Sequence, residues 1–440
     1  MSSASRVLEA ARPRSIPQPL TTICAALTAI GIVAFLVALA QDPQTAWLAF
    51  HTNWVYFSVF SYAGLILAGI FVIVSATWPG PLRRVVEGFA AWIPISFVLA
   101  LVGTLGGDYL FEWKREGAVH GKEVWLNATR VYGSDLFILG VLTLCTLWFL
   151  KTSTRPLLKN LADNGEGFGQ RMAQKWTQDW RGAVEERDHA WKVLSSRTAP
   201  IMLFLILGWT LIAFDQIMSM EQTWYSNLFG AYVTWGGILC AVAATALWTS
   251  LNRNNPDFKG LVTEARMHDI GKLLFAFSIF WMYLFFSQYL VIWYGNLPEE
   301  TQFFYDRLGN QFMIDKGTSA TAWAASWSSW DFEWSRLNNA YGWTAMAAWA
   351  CNWIIPFWVL LGQRPKKTPW ILGPVAAIVL FGLWLERNLL IWPSVIKDDS
   401  WSWLGVYQIL IALGFAGSFG LVFLIYTRVF PTIAVPVEEE

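Results

Sequence analysis

Four short stretches of this sequence carry groups able to bind, release or relay protons inside otherwise apolar surroundings. They are Asp215, Gln216 and Ser219 in AFDQIMSM; His268, Asp269 and Lys272 in HDIGK; Ser287, Gln288 and Tyr289 in FSQYL; and Glu386 and Arg387 in LERN. A charged side chain at the centre of a bilayer costs about 2.5–3.5 kcal/mol on insertion scales, so each of these positions needs a physical reason. For Glu386 and Arg387 one reason is structural, an ion pair that fixes helix packing. The other is a polar pocket or proton path, in which Asp215, Ser219, Ser287, Gln288, Glu386 and Arg387 take part. His268, Asp269 and Lys272 read either as an ordinary helix start, with an acid on the dipole and a snorkelling lysine, or as a site of proton uptake. A quinol pocket would need apolar walls, aromatic rings and a proton acceptor. Asp215, Trp281, Tyr289 and Trp293 have the right chemistry for one, but their spacing does not show that they converge.

Metal chemistry finds less support. Cys24, Cys145, Cys240 and Cys351 all lie in apolar runs without close pairing, so no iron–sulfur or zinc spacing is present. His51, His120, His189 and His268 fall in connections or at helix ends, which leaves no axial pair for a haem b. The expectation is a chain that binds no cofactor of its own.

The elements that position these groups are set by composition. Of 440 residues 55% are hydrophobic and 14% charged, mean hydropathy is +0.41, and there are 29 tryptophans, a residue that favours the membrane–water boundary. Net charge is zero, so nothing points to nucleic acid. Runs near the ~20 residues needed to cross a hydrocarbon core occur at 20–40, 54–78, 86–106, 133–150, 198–218, 228–249, 271–294, 341–361, 370–392 and 402–427. Lipid supplies no hydrogen bonds to the backbone, so each run should be a helix. The expected fold is an all-α polytopic membrane protein of about ten transmembrane helices. The first run is read as a retained anchor, too long for the apolar core of a signal peptide.

Basic residues give the topology. Arg6, Arg12 and Arg14 precede the first run, Arg83 and Arg84 follow the second, and 151–197, 250–270 and 362–369 are rich in Lys and Arg. Connections 41–53 and 219–227 have none. Both chain ends are therefore expected in the cytoplasm, with residues 1–19 and 428–440 as cytoplasmic segments, and Asp215 just beneath the outward surface. Asp135 opens the fourth run on that side. Two long connections look amphipathic and interfacial: Trp176, Trp180, Val184 and Trp191 share one helical face within 152–197, and Trp323, Trp327, Trp330 and Trp334 share one within 295–340. The outer face is also suited to docking a partner protein.

Two of the stretches carry a resemblance. FDQIMSMEQTWYSNLFGAY (214–232) resembles the Phe-Asp-x-x-Met-Ser…Trp-Tyr-Ser…Phe-Gly signature of the ActF family, membrane subunits of bacterial alternative complex III. HDIGKLLFAFSIFWMYLFFSQYLVIWYGNLPEET (268–301) is similar to that family's seventh helix and Pro-Glu-Glu loop. The resemblance implies an NrfD/polysulfide-reductase-like membrane fold. Residues 54–218 and 228–392 would form two four-helix bundles, flanked by helices 20–40 and 402–427. It implies a place in the bacterial cytoplasmic membrane, in a quinol:electron-acceptor oxidoreductase. In such a complex a sister NrfD-like subunit takes quinol or menaquinol, an iron–sulfur protein lies beside it, and haem c subunits carry electrons outward. The subunit itself would hold no redox centre, and would serve structure and a proton path. Asp215, Ser219, Asp269, Lys272, Ser287 and Gln288 match the motifs, and Glu386 with Arg387 resembles an acid–base pair near the end of the ninth helix. Where family members have Asp-Pro-His before Trp-Tyr, this chain has Glu221-Gln222-Thr223, so a role for that His does not carry over; segment 107–132 fits loosely.

Two other readings remain open at the sequence level. The chain binds quinol itself, or it is a secondary transporter. Transporters tend to break helices at matching positions of two repeats, and Pro94, Pro356 and Pro374 form no such match.

Overall fold

The computed structural model describes residues 18–80, 82–115, 121–255, 258, 262–308, 340–397 and 401–430. Seven spans come first: α1 (Gln18–Gln41), α2 (Pro43–Ile73), α3 (Leu82–Leu110), α4 (Ala128–Leu157), α5 (Ala183–Met220), α6 (Phe229–Asn252) and α7 (Glu264–Gly295). The eighth, α8, is assembled from Ala340–Trp349, a π-helical turn Ala350–Ile354 and Ile355–Val359. Then follow α9 (Pro369–Val395) and α10 (Val406–Thr427). Apart from α8, these nine are the helices among the described residues that are long and apolar enough to cross a bilayer. The chain is an all-α polytopic membrane protein.

Starts are set by local signals. The Asp42 carboxylate accepts from the Thr45 amide at 3.2 Å with Pro43 opening α2, and Asn127 accepts from the Arg130 amide at 2.9 Å to cap α4. The Thr263 hydroxyl accepts from the Arg266 amide at 3.3 Å and starts α7. Inside α3 the helix is interrupted at Ala91 and Trp92, just ahead of Pro94, and in α8 the π turn falls just ahead of Pro356. These are the second helix of one group and the third of the other, so the breaks do not correspond.

Helices α2 to α5 pack on one another, as do α6 to α9, while α1 and α10 pair with each other and lie along α2. An added Cβ at Gly31 would collide with the Cα of Gly414, so α1 and α10 meet backbone to backbone. The opposite side of α1 exposes Ile23, Ile32, Val33 and Leu36, an apolar surface suited to lipid. Helix α2 also touches α6 and α9 and is buried on nearly all sides. It is the shared wall of the two groups.

Several boundaries differ from the sequence expectation. Helix α2 begins at Pro43 rather than 54, because the Asp42 cap starts it and the polar residues His51, Thr52 and Asn53 are buried within it. His51 is therefore not in a connection. Helix α5 begins at Ala183 rather than 198 and runs well past the apolar stretch. Trp176, Trp180, Val184 and Trp191 do not share one helix. Trp176 ends the helix Gly167–Trp176, Trp180 lies in the connection, and the other two belong to α5. The first helix ends after Trp176, and Gly182, at φ 118° in a backbone region that favours glycine, precedes the start of α5. His120 and the Trp323, Trp327, Trp330, Trp334 series lie outside the described residues.

Candidate functional site

Helix direction alternates along the chain, so the first turns of α2, α4 and α6 and the last turns of α5, α7 and α9 share one end of the molecule. Two polar clusters are buried toward that end, one in each group of helices.

The first is built on α2, α4 and α5. Asp215, in the last turns of α5, is fully buried, and Arg130 of α4 donates from Nη1 to its Oδ1 at 2.6 Å. The guanidinium lies 3.6 Å from the centre of the Trp125 ring, which holds it over the carboxylate. The Ser219 hydroxyl donates to the Asp215 carbonyl and accepts from Trp113 Nε1 at 3.2 Å, tying the turn at Trp113 to the end of α5. The neighbouring residue, Gln216, points the other way. Its Nε2 donates to Asp135 Oδ2 at 2.7 Å, and its carbonyl accepts from His51 Nε2 at 2.8 Å. A carbonyl can only accept, so His51 carries its proton on Nε2. Asp135 also interacts directly with Asp215. A cavity with room for about one water molecule is lined by His51, Trp54, Tyr132, Asp135 and Gln216. Asp135 Oδ1 and the Tyr132 hydroxyl have no hydrogen-bond partner among the described residues.

The second cluster is built on α6, α7 and α9. Glu386 and Arg387 are both buried, with Oε2 and Nη1 2.8 Å apart, and Arg387 Nη2 donates to the Val233 carbonyl at 2.9 Å. The pair is adjacent in sequence, and its contact is too bent to count as a hydrogen bond. Tyr232 and Trp281 turn their polar groups toward Glu386. Gln288 Oε1 accepts from Ser226 at 3.0 Å and lines, with Tyr232, Glu386 and Arg307, a cavity with room for one or two waters. Asn352, in the π turn of α8, is fully buried without a protein partner and packs on Gly382, one turn before Glu386.

The helix Pro298–Leu308 closes this cluster. Trp224 and Phe303 stack at 3.7 Å, and the buried Arg307 donates to the Leu390 carbonyl at 3.0 Å and to Ser394 Oγ at 2.6 Å. Burial pushes the Arg307 guanidinium down to about 10, leaving it charged at neutral pH. Nearby Glu221 is 3.6 Å from Lys397, yet burial raises its carboxyl above the usual range despite the pull of Arg307 and Lys397.

The two clusters are joined through α2. His51 faces the first, whereas Asn53 Oδ1 accepts from Trp384 Nε1 at 2.9 Å and Tyr56 donates to the Leu380 carbonyl at 2.9 Å, both on α9.

Of the residues singled out from sequence, Asp215 and Ser219 come together in the first cluster, and Trp281, Gln288, Glu386 and Arg387 in the second. Ser287 does not join Gln288; its hydroxyl bonds back to the Tyr283 carbonyl at 2.7 Å on a half-buried face. Tyr289 packs on Phe285 and Phe304, and Trp293 is half-buried near the end of α7. Asp215 and Trp281 thus belong to different clusters. Asp269 and Lys272 pair at 2.7 Å with partly exposed side chains beside His268, at the opposite end of the molecule. Arg130, His51 and Arg307 were missed. A faint signal existed for Arg130 and Arg307, cations in the connections on the side away from the basic loops, where a cation needs a carboxylate. Among the described residues no three His, Cys, Asp or Glu side chains gather as metal ligands.

Fold and clusters together define an integral membrane protein of packed helices with ionisable groups held between its spans. No protein-family model matches the chain, and no curated protein matches it.

Proposed function

We propose that this chain is an ActF-type membrane subunit, without a redox centre of its own, of a respiratory quinol:electron-acceptor oxidoreductase in a bacterial cytoplasmic membrane. Its work in that complex is structural, and it offers protons a route through its helices. The sequence stretches 214–232 and 268–301 motivate the family assignment. The observation that carries the proton role is the buried set of Asp215, Arg130, Asp135, Gln216 and His51. Of the two carboxyls there, Asp215 is paired with the Arg130 guanidinium while Asp135 accepts from the neutral Gln216 amide, beside a water-sized cavity, so the set is suited to take up or give away a proton. By the positive-inside rule this end of the molecule faces outward, and the Asp269–Lys272 pair lies on the cytoplasmic side. The partners under this reading are a sister NrfD-like subunit that binds the quinol, an iron–sulfur protein and haem c subunits.

Mild-detergent purification with subunit identification by mass spectrometry and haem spectroscopy tests the assignment. Co-purification with iron–sulfur and multihaem subunits is expected, and a chain that is isolated alone and stable sinks it. In the intact complex, Asp215→Asn should leave haem content unchanged and lower the number of protons moved per electron. An unchanged ratio returns Asp215 to a packing role. The cavity beside Glu386 has room for only one or two waters, well short of the space a quinol ring occupies, so the quinol-binding reading gains nothing from it.

A further inference from the structure

At the opposite end of the molecule an open groove of about 530 Å³ runs between the α2–α3 connection, the end of α4 and the early turns of α5. Its walls carry Arg83, Arg84 and Arg187, the carboxylate of Asp188, and the apolar faces of Leu157, Trp191 and Leu194. Glu87, fully buried behind the wall, takes Arg83 Nε at 3.1 Å and the Arg84 guanidinium. Ser153 then orders both arginines. Its hydroxyl accepts from Arg83 Nη2 at 2.9 Å and from Arg84 Nη1 at 2.8 Å, and its carbonyl accepts from Arg84 Nη2 at 2.8 Å. One carboxylate thus anchors two adjacent guanidiniums. A positive charge is left over, with Arg83 Nη1 uncommitted, and the guanidinium 5.8 Å from the Trp191 ring. Arg187 pairs with its sequence neighbour Asp188 at 3.1 Å with both side chains well exposed, so that pair is weak and easily reopened.

We propose that this groove binds the phosphate of an anionic phospholipid headgroup. The groove lies where the apolar runs of α2, α3 and α4 stop, the depth at which lipid phosphates sit. Pre-ordered guanidinium forks match phosphate oxygens, and the repulsion between Arg83 and Arg84 is relieved by a bound anion. Leu157, Leu194 and the Trp191 ring give the glycerol and upper acyl chain an apolar wall. A zwitterionic headgroup brings its own cation to a basic site and gains less.

Native mass spectrometry of the full chain, exchanged into detergent with phosphatidylglycerol or phosphatidylcholine, reads lipid retention, with inorganic phosphate as competitor. Phosphatidylglycerol should be retained preferentially. Each charge near such a surface changes affinity about fivefold, so Arg187→Glu should weaken retention by at least that factor and Asp188→Asn should strengthen it. Both positions are exposed, so neither change threatens folding. Equal retention of the two lipids, or a preference that neither substitution moves, overturns the proposal. Displacement of the lipid preference by inorganic phosphate alone assigns the groove to free phosphate and overturns the lipid assignment.

Discussion

Arg130 and Asp215, 85 residues apart in sequence, meet at 2.6 Å at the seam between α4 and α5. The carboxylate is fully buried, while the Arg130 side chain keeps about a fifth of its surface exposed. The pair therefore joins a group that lipid or protein has stripped of water to one that still reaches an aqueous end. Loss of either partner is therefore felt at that junction.

Removing Arg130 should cost more than neutralising Asp215. Arg130→Ala leaves a buried carboxylate without its cation and is expected to destabilise by about 2–3 kcal/mol, discounted for the partial exposure of the arginine. Asp215→Asn keeps the shape and should cost less. Thermal unfolding of the detergent-solubilised chain, with the double variant closing the cycle, checks the order. Equal losses from the two single variants would remove the ion pair from the account.

Glu386 and Arg387 predict a non-additive result. Arg387→Met strands a buried carboxylate and should destabilise by about 3–5 kcal/mol, whereas adding Glu386→Gln to it should recover part of that loss. The unfolding midpoints of the two single variants and the double variant measure it; strict additivity would contradict the coupling.

Glu221 predicts a pH dependence. Burial holds its carboxyl above the ordinary value in the folded chain, so the folded state binds this proton more tightly than the unfolded state. Its contribution is therefore fully present below the ordinary carboxylate range and is lost as pH rises through the raised folded value. Glu221→Gln, which mimics the protonated form, should match the parent in acid and exceed it progressively toward neutral pH. Parallel stability–pH curves for the two proteins would contradict this.

Gly31 predicts a local effect. Gly31→Ala places a methyl group against the Gly414 backbone, so α1 and α10 must separate at their crossing. A loss of about 1–3 kcal/mol is expected from the overpacked contact. Cysteine cross-linking between α1 and α10 should fall in yield, while cross-links between α6 and α9 should not. A variant that cross-links like the parent would show that the helices tolerate the wider spacing.

Much of the fold was legible because hydrophobic runs of bilayer length permit little except helices. The runs at 228–249, 271–294 and 370–392 correspond to α6, α7 and α9 with modest shifts at their ends. The start of α2 was misplaced because His51, Thr52 and Asn53 read as a polar connection, whereas they are buried between two groups of helices. The single amphipathic helix expected through Trp176 and Trp191 is two helices, because helical spacing continues on paper through 177–182, where the chain leaves the helix after Trp176 and re-enters it only past Gly182.

Sequence by itself determined the class of protein, the approximate spans and the presence of carboxylates and guanidiniums that lipid alone would not tolerate. Hydropathy is a local, additive property, so it survives translation from chain to structure. Only the tertiary structure decided which charge answers which. It paired Asp215 with Arg130 in the first turn of α4, linked Asp135 to His51 through Gln216, and closed Glu386 beneath Arg307. Such pairings depend on helix rotation and neighbour choice, and no spacing along a single helix encodes either.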